Sequence, residues 1–361
     1  MSYKILAINP GSTSTKISLY EDEKEIFTEK IEHPLNVIEK FENVEDQLHM
    51  RKDLGMEVLK EKNFDIKELS AVVARGGMLP PVNPGAYIIN ELMVDRVENR
   101  PVMEHASNLA APIAFEIAGQ VGVPSYIYDS VMSDELPDIA HISGMPDLPR
   151  TSSSHVLNTR AMAIKAAEER GEKYEDMNII VAHLGGGISI NIHEKGRIVD
   201  LVSDDEGPFS PERAGGVPCR ELINLCYSGR YDKKTMQRKL RGNGGLRAYL
   251  NTIDVRDVEK MIADGNEYAK LIFDAMAYQI AKGIGELATV TEGNVDVIIL
   301  TGGIAHSKML TDKVTKRVGF IAPVEILAGE NEMEALALGA LRVLRGQEQA
   351  REYTPETDSK K

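Results

Sequence analysis

A unit of three short strands occurs once in each half of the chain, with a turn of small residues between its first two strands. In the first half, the alternating apolar run at 3–20 is interrupted at 9–12 by Asn-Pro-Gly-Ser. In the second half, the run at 177–192 is interrupted by consecutive glycines at 185–187. A charged turn then leads into a third strand in both halves. Repetition of this kind predicts two similar domains.

The first turn combines flexible backbone with groups that bind anions. It carries Gly11, the hydroxyls of Ser12 and Ser14, and Lys16. Glycine lets main-chain N–H groups approach phosphate oxygens, and lysine adds positive charge. The strand-to-helix phosphate loop is excluded, because GxxxxGK[ST] is absent and this turn leads into a strand. One hairpin alone would be interpreted as an ordinary turn. The second copy instead favours two phosphate-binding turns that face a shared cleft.

A third glycine turn follows the most apolar run of the C-terminal half. Residues 295–300 form that run, and Gly302, Gly303 and Ile304 follow it before a predicted helix. The missing side chains of the two glycines would leave room for adenine and ribose. The alternative is an ordinary strand-to-helix turn. Three glycine turns in this order predict a nucleotide-binding cleft.

Composition limits the partners that the chain can have. The 361 residues are enough for two domains, and 42% hydrophobic with 27% charged residues is typical of a soluble globular protein. A net charge of −14 argues against nucleic acid or an anionic membrane as the main partner. ATP is not excluded, because it needs only local positive groups and a metal ion. With no visible signal peptide, no long apolar span and two cysteines without metal-ligand spacing, the sequence predicts a cytoplasmic protein.

Strands mixed with helices in both halves predict an α/β protein with mixed sheets. We place an N-terminal domain at 1–150, completed by a C-terminal helix at about 331–346, and a nucleotide-binding domain at 151–330. Residues 348–361 are polar and predict a frayed tail. A single helix is predicted at 35–62, and its charged outer face is interpreted as solvated surface.

Five motifs spread over nearly the whole chain resemble the acetokinase family, and most closely its butyrate kinases. They lie at 9–16, 182–187, 207–218, 300–306 and 329–337, and the stretch Gly-Pro-Phe-Ser-Pro-Glu-Arg at 207–213 is the most specific. The resemblance implies two actin-like ATPase (ribonuclease H-like) domains with ATP in the interdomain cleft. It also implies reversible, direct in-line transfer of a phosphoryl group from ATP to butyrate with Mg²⁺, and at least a dimer.

A carboxylate is already an ionised nucleophile, so this transfer needs no strong general base. It needs in-line geometry and charge stabilisation from arginines, hydrogen-bond donors and a metal ion. Arg213 is the first candidate, because a guanidinium binds an anion bidentately and the residue lies in a Gly/Pro-rich loop. The resemblance matches Arg213 to a catalytic arginine. The alternative is a surface arginine paired with Glu212.

Three further residues are catalytic candidates. Arg75 ends a predicted strand beside two glycines, and a structural ion pair is its alternative role. The resemblance matches His183 to the histidine of the phosphate loop, with a buried, hydrogen-bonded histidine as the alternative. It matches His155 to the second histidine of a family motif whose first histidine is replaced here by Thr151. Which donor contacts the phosphoryl group in its place is left open.

The candidate metal and nucleotide residues are drawn from the strand ends, the turns and the resemblance. Asp129 ends a predicted strand, and Asn9 and Glu332 match family positions implied to organise magnesium. The predicted nucleotide-binding residues are Asn9, Gly11, Ser12, Ser14, Lys16, Gly185, Gly186, Gly187, Gly302, Gly303 and Ile304.

Several alternative functions remain open from the sequence. Acetate, propionate and branched-chain acid kinases differ from a butyrate kinase only around the acyl tail. A sugar kinase would require a carboxylate base for a neutral hydroxyl. An actin-like filament protein or chaperone-type ATPase is disfavoured, because the segment after Leu344 is too short for a peptide-binding domain.

Overall fold

The computed structural model describes residues 2–38, 40–329 and 331–359. Contacts divide the chain into two compact units: the first unit is Met1–Asp134 with Asn331–Lys361, and the second unit is Glu135–Glu330. The division therefore precedes the boundary predicted at 150. The reason lies in side-chain contacts within the second unit: Glu135 accepts a hydrogen bond from the Ile198 N–H, and Arg150 pairs with Asp200.

Twelve strands and fourteen helices form these units within the described residues. The strands are β1 (Lys4–Pro10), β2 (Ser14–Glu21), β3 (Lys24–Glu32), β4 (Ala71–Arg75), β5 (Ala86–Ile88), β6 (Ser125–Tyr128), β7 (Asn178–Leu184), β8 (Ile188–Glu194), β9 (Arg197–Val202), β10 (Val297–Gly302), β11 (Val324–Ala328) and β12 (Arg351–Glu352). The helices are α1 (Leu35–Ile38), α2 (Leu48–Glu61), α3 (Glu91–Asn99), α4 (Ala110–Val121), α5 (Asp138–His141), α6 (Val156–Arg170), α7 (Cys219–Cys226), α8 (Lys233–Leu240), α9 (Gly245–Leu250), α10 (Val255–Ala263), α11 (Glu267–Ala288), α12 (Lys308–Val318), α13 (Glu332–Leu344) and α14 (Pro355–Asp358).

The first unit is built on a seven-stranded sheet with the order β12-β5-β6-β4-β1-β2-β3. Strands β1, β2 and β3 form an antiparallel meander. Strand β4 runs parallel to β1 and to β6, with Ile8 opposite Ala74 and Arg75 opposite Tyr128. Because parallel strands end at the same edge, β1, β4 and β6 bring their last residues together. This carboxyl edge is where open α/β sheets bind ligands.

The second unit repeats this arrangement in a five-stranded sheet with the order β11-β10-β7-β8-β9. Strands β7, β8 and β9 form the meander, and β10 runs parallel to β7 with Thr301 opposite His183. The predicted recurrence of the three-strand unit is thus confirmed. Alternate residues of β8 face opposite ways: Ile190 joins the apolar core with α11, whereas Ser189 and Asn191 bond to polar side chains at the start of α6. A buried polar layer therefore lies under α6.

The C-terminal segment differs from the predicted frayed tail. Strand β12 pairs with β5, and Tyr353 is 1% exposed with its carbonyl bonded to the Asn90 side chain. The average polarity of the segment conceals this one aromatic ring, whose burial anchors the chain. Lys360 and Lys361 of the predicted tail lie outside the described residues.

The helix predicted at 35–62 is divided, with α1 and α2 separated by irregular chain; residue 39 lies outside the described residues. Asp46 accepts hydrogen bonds from both the backbone and the side chain of Asn43. Local bonds of this type compete with helix formation. None of the helices in the described part of the chain has the length and apolar character needed to cross a membrane.

Candidate functional site

The carboxyl edge of the first unit gathers a cluster of polar side chains around Glu332. The Asn9 side-chain amide donates to Glu332 Oε2 over 2.6 Å, and Arg75 Nη1 lies 3.5 Å from the same oxygen. Glu332 begins α13 and is 6% exposed. The buried Nε of Arg75 has no hydrogen-bond partner among the described residues. Glu332 therefore holds Asn9 and Arg75 next to one another, and Arg75 forms the ion pair that was its alternative role.

Asp129 lies at the same edge, directly after β6. It is 2% exposed and has a φ of +41°, a positive value that few residues other than glycine adopt. Its Oδ1 accepts a hydrogen bond from the Gly85 N–H over 2.9 Å. The strained backbone and this bond together fix the carboxylate at the strand end. Backbone strain of this kind is concentrated at functional sites.

The first glycine turn joins β1 to β2 beside this cluster. The Gly11 N–H donates to the Ser14 carbonyl over 2.7 Å, and Lys16 lies opposite Asn9 in the antiparallel pair. Ser12 is exposed at the tip. Underneath the turn lies a fully buried arginine, Arg51, which the sequence analysis did not single out.

In the second unit, the structure brings the second and third glycine turns into contact. The turn at 185–187 is closed by a bond from the Gly185 N–H to the Gly187 carbonyl. Gly302 ends β10 with a φ of +88°, and a Cβ at this position would lie 2.4 Å from the Leu184 carbonyl oxygen. Gly303 faces open space, and Ile304 is partly buried against the core. Close packing of this kind is possible only without side chains.

Two histidines stack beside the second turn. The rings of His155 and His183 are 3.9 Å apart and 13° from parallel. His183 Nδ1 bonds to Asn158 Oδ1 over 2.9 Å, and His155 Nδ1 bonds to Ser189 Oγ over 2.8 Å. Asn158 and Ser189 therefore fix the orientation of the two rings.

His183 lies directly under the turn. A Cβ at Gly185 would be 2.9 Å from His183 Nε2, so the second ring nitrogen faces the backbone of the turn. His183 is buried and hydrogen-bonded, as its alternative interpretation stated, and it also contacts the predicted phosphate loop. Asn158, which fixes the ring, was missed by the sequence analysis.

Arg213 packs on the last glycine of the same turn. A Cβ at Gly187 would lie 2.4 Å from Arg213 Nη1 and 2.6 Å from Cζ. The guanidinium forms an ion pair with the buried Asp204, rather than with the predicted alternative partner Glu212. Asp204 also accepts a hydrogen bond from Arg241 over 2.7 Å. Two guanidinium groups therefore share one buried carboxylate beside the turn.

The loop that carries Arg213 is fastened to the turn by a further bond. The Ser210 hydroxyl donates to the Gly186 carbonyl over 2.6 Å. Sequence reasoning missed Ser210, Asp204 and Arg241. Ser210 lies in the Gly/Pro-rich loop and Asp204 lies next to it, and these positions could have indicated a role. No feature of the sequence pointed to Arg241.

If Arg213 has its predicted catalytic role, substituting Gly187→Ala should lower kcat by roughly tenfold to a hundredfold, because a misplacement of about 1 Å in a catalytic group is this costly. The added methyl group displaces the Arg213 guanidinium and leaves the surrounding core intact. The measurement is steady-state kinetics of Gly187→Ala alone and combined with Arg213→Gln. If the methyl acts through Arg213, it costs little more in the Arg213→Gln background. An equal cost in both backgrounds contradicts this account.

Comparison with known proteins identifies the family. A model of the acetokinase family matches residues 151–334. Butyrate kinase 1 of Clostridium acetobutylicum is 48% identical over 353 residues, which cover 97% of this chain and 99% of that protein. Butyrate kinase 2 of the same organism is 49% identical over 355 residues, or 98% and 100% of the two chains.

Solved structures show the same fold at low sequence identity. The acetate kinase of Porphyromonas gingivalis superposes with a TM-score of 0.79 at 20% identity, covering 95% of this chain and 100% of that one. A propionate kinase from Francisella tularensis gives a TM-score of 0.76 at 17% identity, with 93% and 98% covered. The predicted α/β fold of the actin-like ATPase type is confirmed. This chain belongs to the acetokinase family.

Proposed function

We propose that this chain is a butyrate kinase, which transfers the γ-phosphoryl group of ATP to butyrate and forms butyryl phosphate and ADP, reversibly. The observation that carries phosphoryl transfer is the Arg213 guanidinium packed on Gly187 of a glycine turn at the carboxyl edge of the sheet. The choice of butyrate is supported by relatives of that name at 48–49% identity over nearly the full chain.

The reaction is a direct in-line displacement. A carboxylate oxygen of butyrate attacks the γ-phosphorus, a new P–O bond forms, and the bond to the β-phosphate oxygen breaks as ADP leaves. No proton has to be removed, because the carboxylate is ionised at neutral pH. The protein therefore contributes orientation and positive charge.

Arg213 stabilises the negative charge on the transferring group. Asp204 and Gly187 hold its guanidinium in one place, so little reorganisation is needed when the transition state forms. His183 and His155 are the hydrogen-bond donors beside the phosphate loop, and Asn158 and Ser189 fix their ring orientations. The exposed Thr151 adds a hydroxyl in the segment before His155.

The glycine turns bind the nucleotide through their backbone. In the first unit these residues are Asn9, Gly11, Ser12, Ser14 and Lys16, and in the second unit they are Gly185, Gly186, Gly187, Gly302, Gly303 and Ile304. The open space at Gly303 supports a role for this position against the base or ribose. Arg75 is held in place by its ion pair with Glu332 and binds the anionic substrate.

Asn9, Glu332 and Asp129 would hold Mg²⁺. Within the described residues, no three acidic, histidine or cysteine side chains form a metal-binding group. This donor set still fits, because Mg²⁺ bound with a nucleotide uses one or two carboxylates, phosphate oxygens and water. When bound, the ion neutralises charge on the phosphates.

The proposed location is the cytoplasm, where ATP is available and where the free thiols of Cys219 and Cys226 stay reduced. We also propose that the enzyme is at least a dimer. Tyr268 and Leu271 of α11 support this, since they are 53% and 61% exposed on one side of the helix. Sedimentation equilibrium measures the subunit number.

The test of the function is hydroxylamine trapping of acyl phosphate with ATP and a panel of acids. We expect hydroxamate formation that requires both ATP and Mg²⁺. We expect the highest kcat/KM with butyrate, compared with acetate, propionate and isobutyrate, since each methylene is worth about 1–3 kcal/mol of discrimination. Absence of hydroxamate with every acid contradicts the function, and a higher kcat/KM with another acid contradicts only the choice of butyrate.

A further inference from the structure

Arg51 is one of the largest fully buried side chains of the protein, with 1% of its surface exposed. It lies on α2, on the same buried face as Leu48, Gly55 and Leu59. Charged side chains are seldom buried to this extent without a partner, because removing a charge from water is costly. The position of Arg51 therefore requires an explanation that a solvated helix face does not provide.

The guanidinium of Arg51 donates hydrogen bonds to the backbone of the first glycine turn. Its Nη1 donates to the carbonyl oxygens of Gly11 over 2.7 Å and of Ser14 over 3.2 Å. Its Nη2 donates to the Ser12 carbonyl over 3.2 Å. These bonds draw three carbonyl oxygens of the turn towards α2. A phosphate-binding turn must present donors to its ligand, so carbonyl oxygens directed to the opposite side suit that task.

The remaining donors of Arg51 fix the guanidinium itself. Gln47 Oε1 accepts from Nε over 3.1 Å and from Nη2 over 2.7 Å, and Thr15 Oγ1 lies 3.3 Å from Nη1. Thr15 Oγ1 is also 2.8 Å from His33 Nε2. These side chains lie on both sides of the guanidinium and fix its orientation.

No carboxylate in the described part of the chain pairs with Arg51. Among the ion pairs formed by the described residues, none includes Arg51. Burial lowers the pKa of Arg51 to about 10, so the side chain is still protonated at neutral pH. Burial and the charge of Arg51 lower the pKa of His33 to about 4, so His33 is neutral there. One positive charge therefore remains directly beneath the turn.

We propose that Arg51 is a positioning residue for phosphate binding, which sets the conformation of the turn at Gly11–Ser14 and places a positive charge behind it. This inference rests on the proposed function, in which that turn binds the nucleotide. Arg51 acts through the backbone of the turn and touches no substrate.

The test compares Arg51→Met, which keeps the volume but removes the charge and the planar guanidinium, with Arg51→Lys, which keeps the charge. We expect Arg51→Met to weaken ADP binding, measured by calorimetry, and to raise the KM for ATP, each by roughly tenfold to a hundredfold, as for lost bonds to a charged group. The KM for butyrate should change by less than about threefold. Arg51→Lys should fall between Arg51→Met and the unmodified enzyme.

The matched control is Lys60→Met on the exposed side of the same helix, which should bind ADP normally. Arg51→Ala tests the guanidinium group separately, because guanidinium ion added at low millimolar concentration can occupy the vacated site. We expect added guanidinium to restore part of the ADP affinity of Arg51→Ala and to leave Lys60→Met unchanged. A purely structural role predicts instead that added guanidinium restores thermal stability and the KM values for ATP and for butyrate together.

Two results would overturn the inference. One is a folded Arg51→Met enzyme with unchanged ADP affinity. The other is an equal rise of KM for ATP and for butyrate that follows the loss of thermal stability. If Arg51→Met does not fold, Arg51→Lys and the guanidinium rescue decide by the same measurements. If the unmodified enzyme makes no acyl phosphate, the proposed function fails, whereas normal turnover by Arg51→Met removes only this inference.

Discussion

Arg213→Gln is expected to lower kcat by about a thousandfold, which is in the range measured when a transition-state arginine is removed from a phosphoryl-transfer enzyme. Glutamine keeps part of the volume and the hydrogen-bonding capacity but carries no charge. The lost stabilisation belongs to the transition state, so kcat and kcat/KM should fall by similar factors. Stopped hydroxylamine assays at saturating ATP and butyrate measure the change.

Folding should survive this substitution. Asp204 would lose Arg213 but keep its bond to Arg241, so the buried carboxylate is not left without a positive partner. The control is Arg238→Gln, an exposed arginine on α8 of the same unit, which should keep normal turnover. Circular dichroism verifies that both variants fold. Near-normal kcat in Arg213→Gln would remove this residue from the catalytic machinery.

The meander of each unit could be predicted because its signal is local. β1 and β7 are short apolar runs, and small or glycine residues mark the turns that follow them. The parallel pairing of β1 with β4 and of β7 with β10 then brings strand ends that are distant in sequence to the same edge of each sheet. Strand ends with polar residues were therefore good candidates before the structure was known.

The contacts that support the candidate residues could not be predicted, because they join positions that are far apart in the chain. Asp204 and Arg241 are 37 residues apart, and Asn9 and Glu332 are 323 residues apart. No local pattern reveals such pairs. Arg51 did leave a signal, since it follows Leu48 by three positions and so lies on the apolar face of α2. The prediction considered only the charged outer face of the helix, so Arg51 was not recognised.

Gly302→Ala is expected to destabilise the protein by about 3 kcal/mol, because a strained backbone and overpacking each cost about 1–3 kcal/mol. At a φ of +88°, a Cβ would be 2.4 Å from the Leu184 carbonyl oxygen and 2.8 Å from the Leu184 N and C atoms. These are backbone atoms of β7, held on both sides by β8 and β10. They cannot move without disturbing the sheet and the start of the second glycine turn.

The neighbouring position provides the matched control. A Cβ at Gly303 would meet no atom within 4 Å, so Gly303→Ala should change the free energy of unfolding by less than about 0.5 kcal/mol. Thermal unfolding of both variants without nucleotide measures the difference, because the predicted role of Gly303 against the nucleotide then has no effect. We expect the midpoint of Gly302→Ala to fall by about 10 °C. Equal midpoints for the two variants would mean that β7 and β10 do not approach as closely at Gly302 as described, and the contact between the two glycine turns would have to be abandoned.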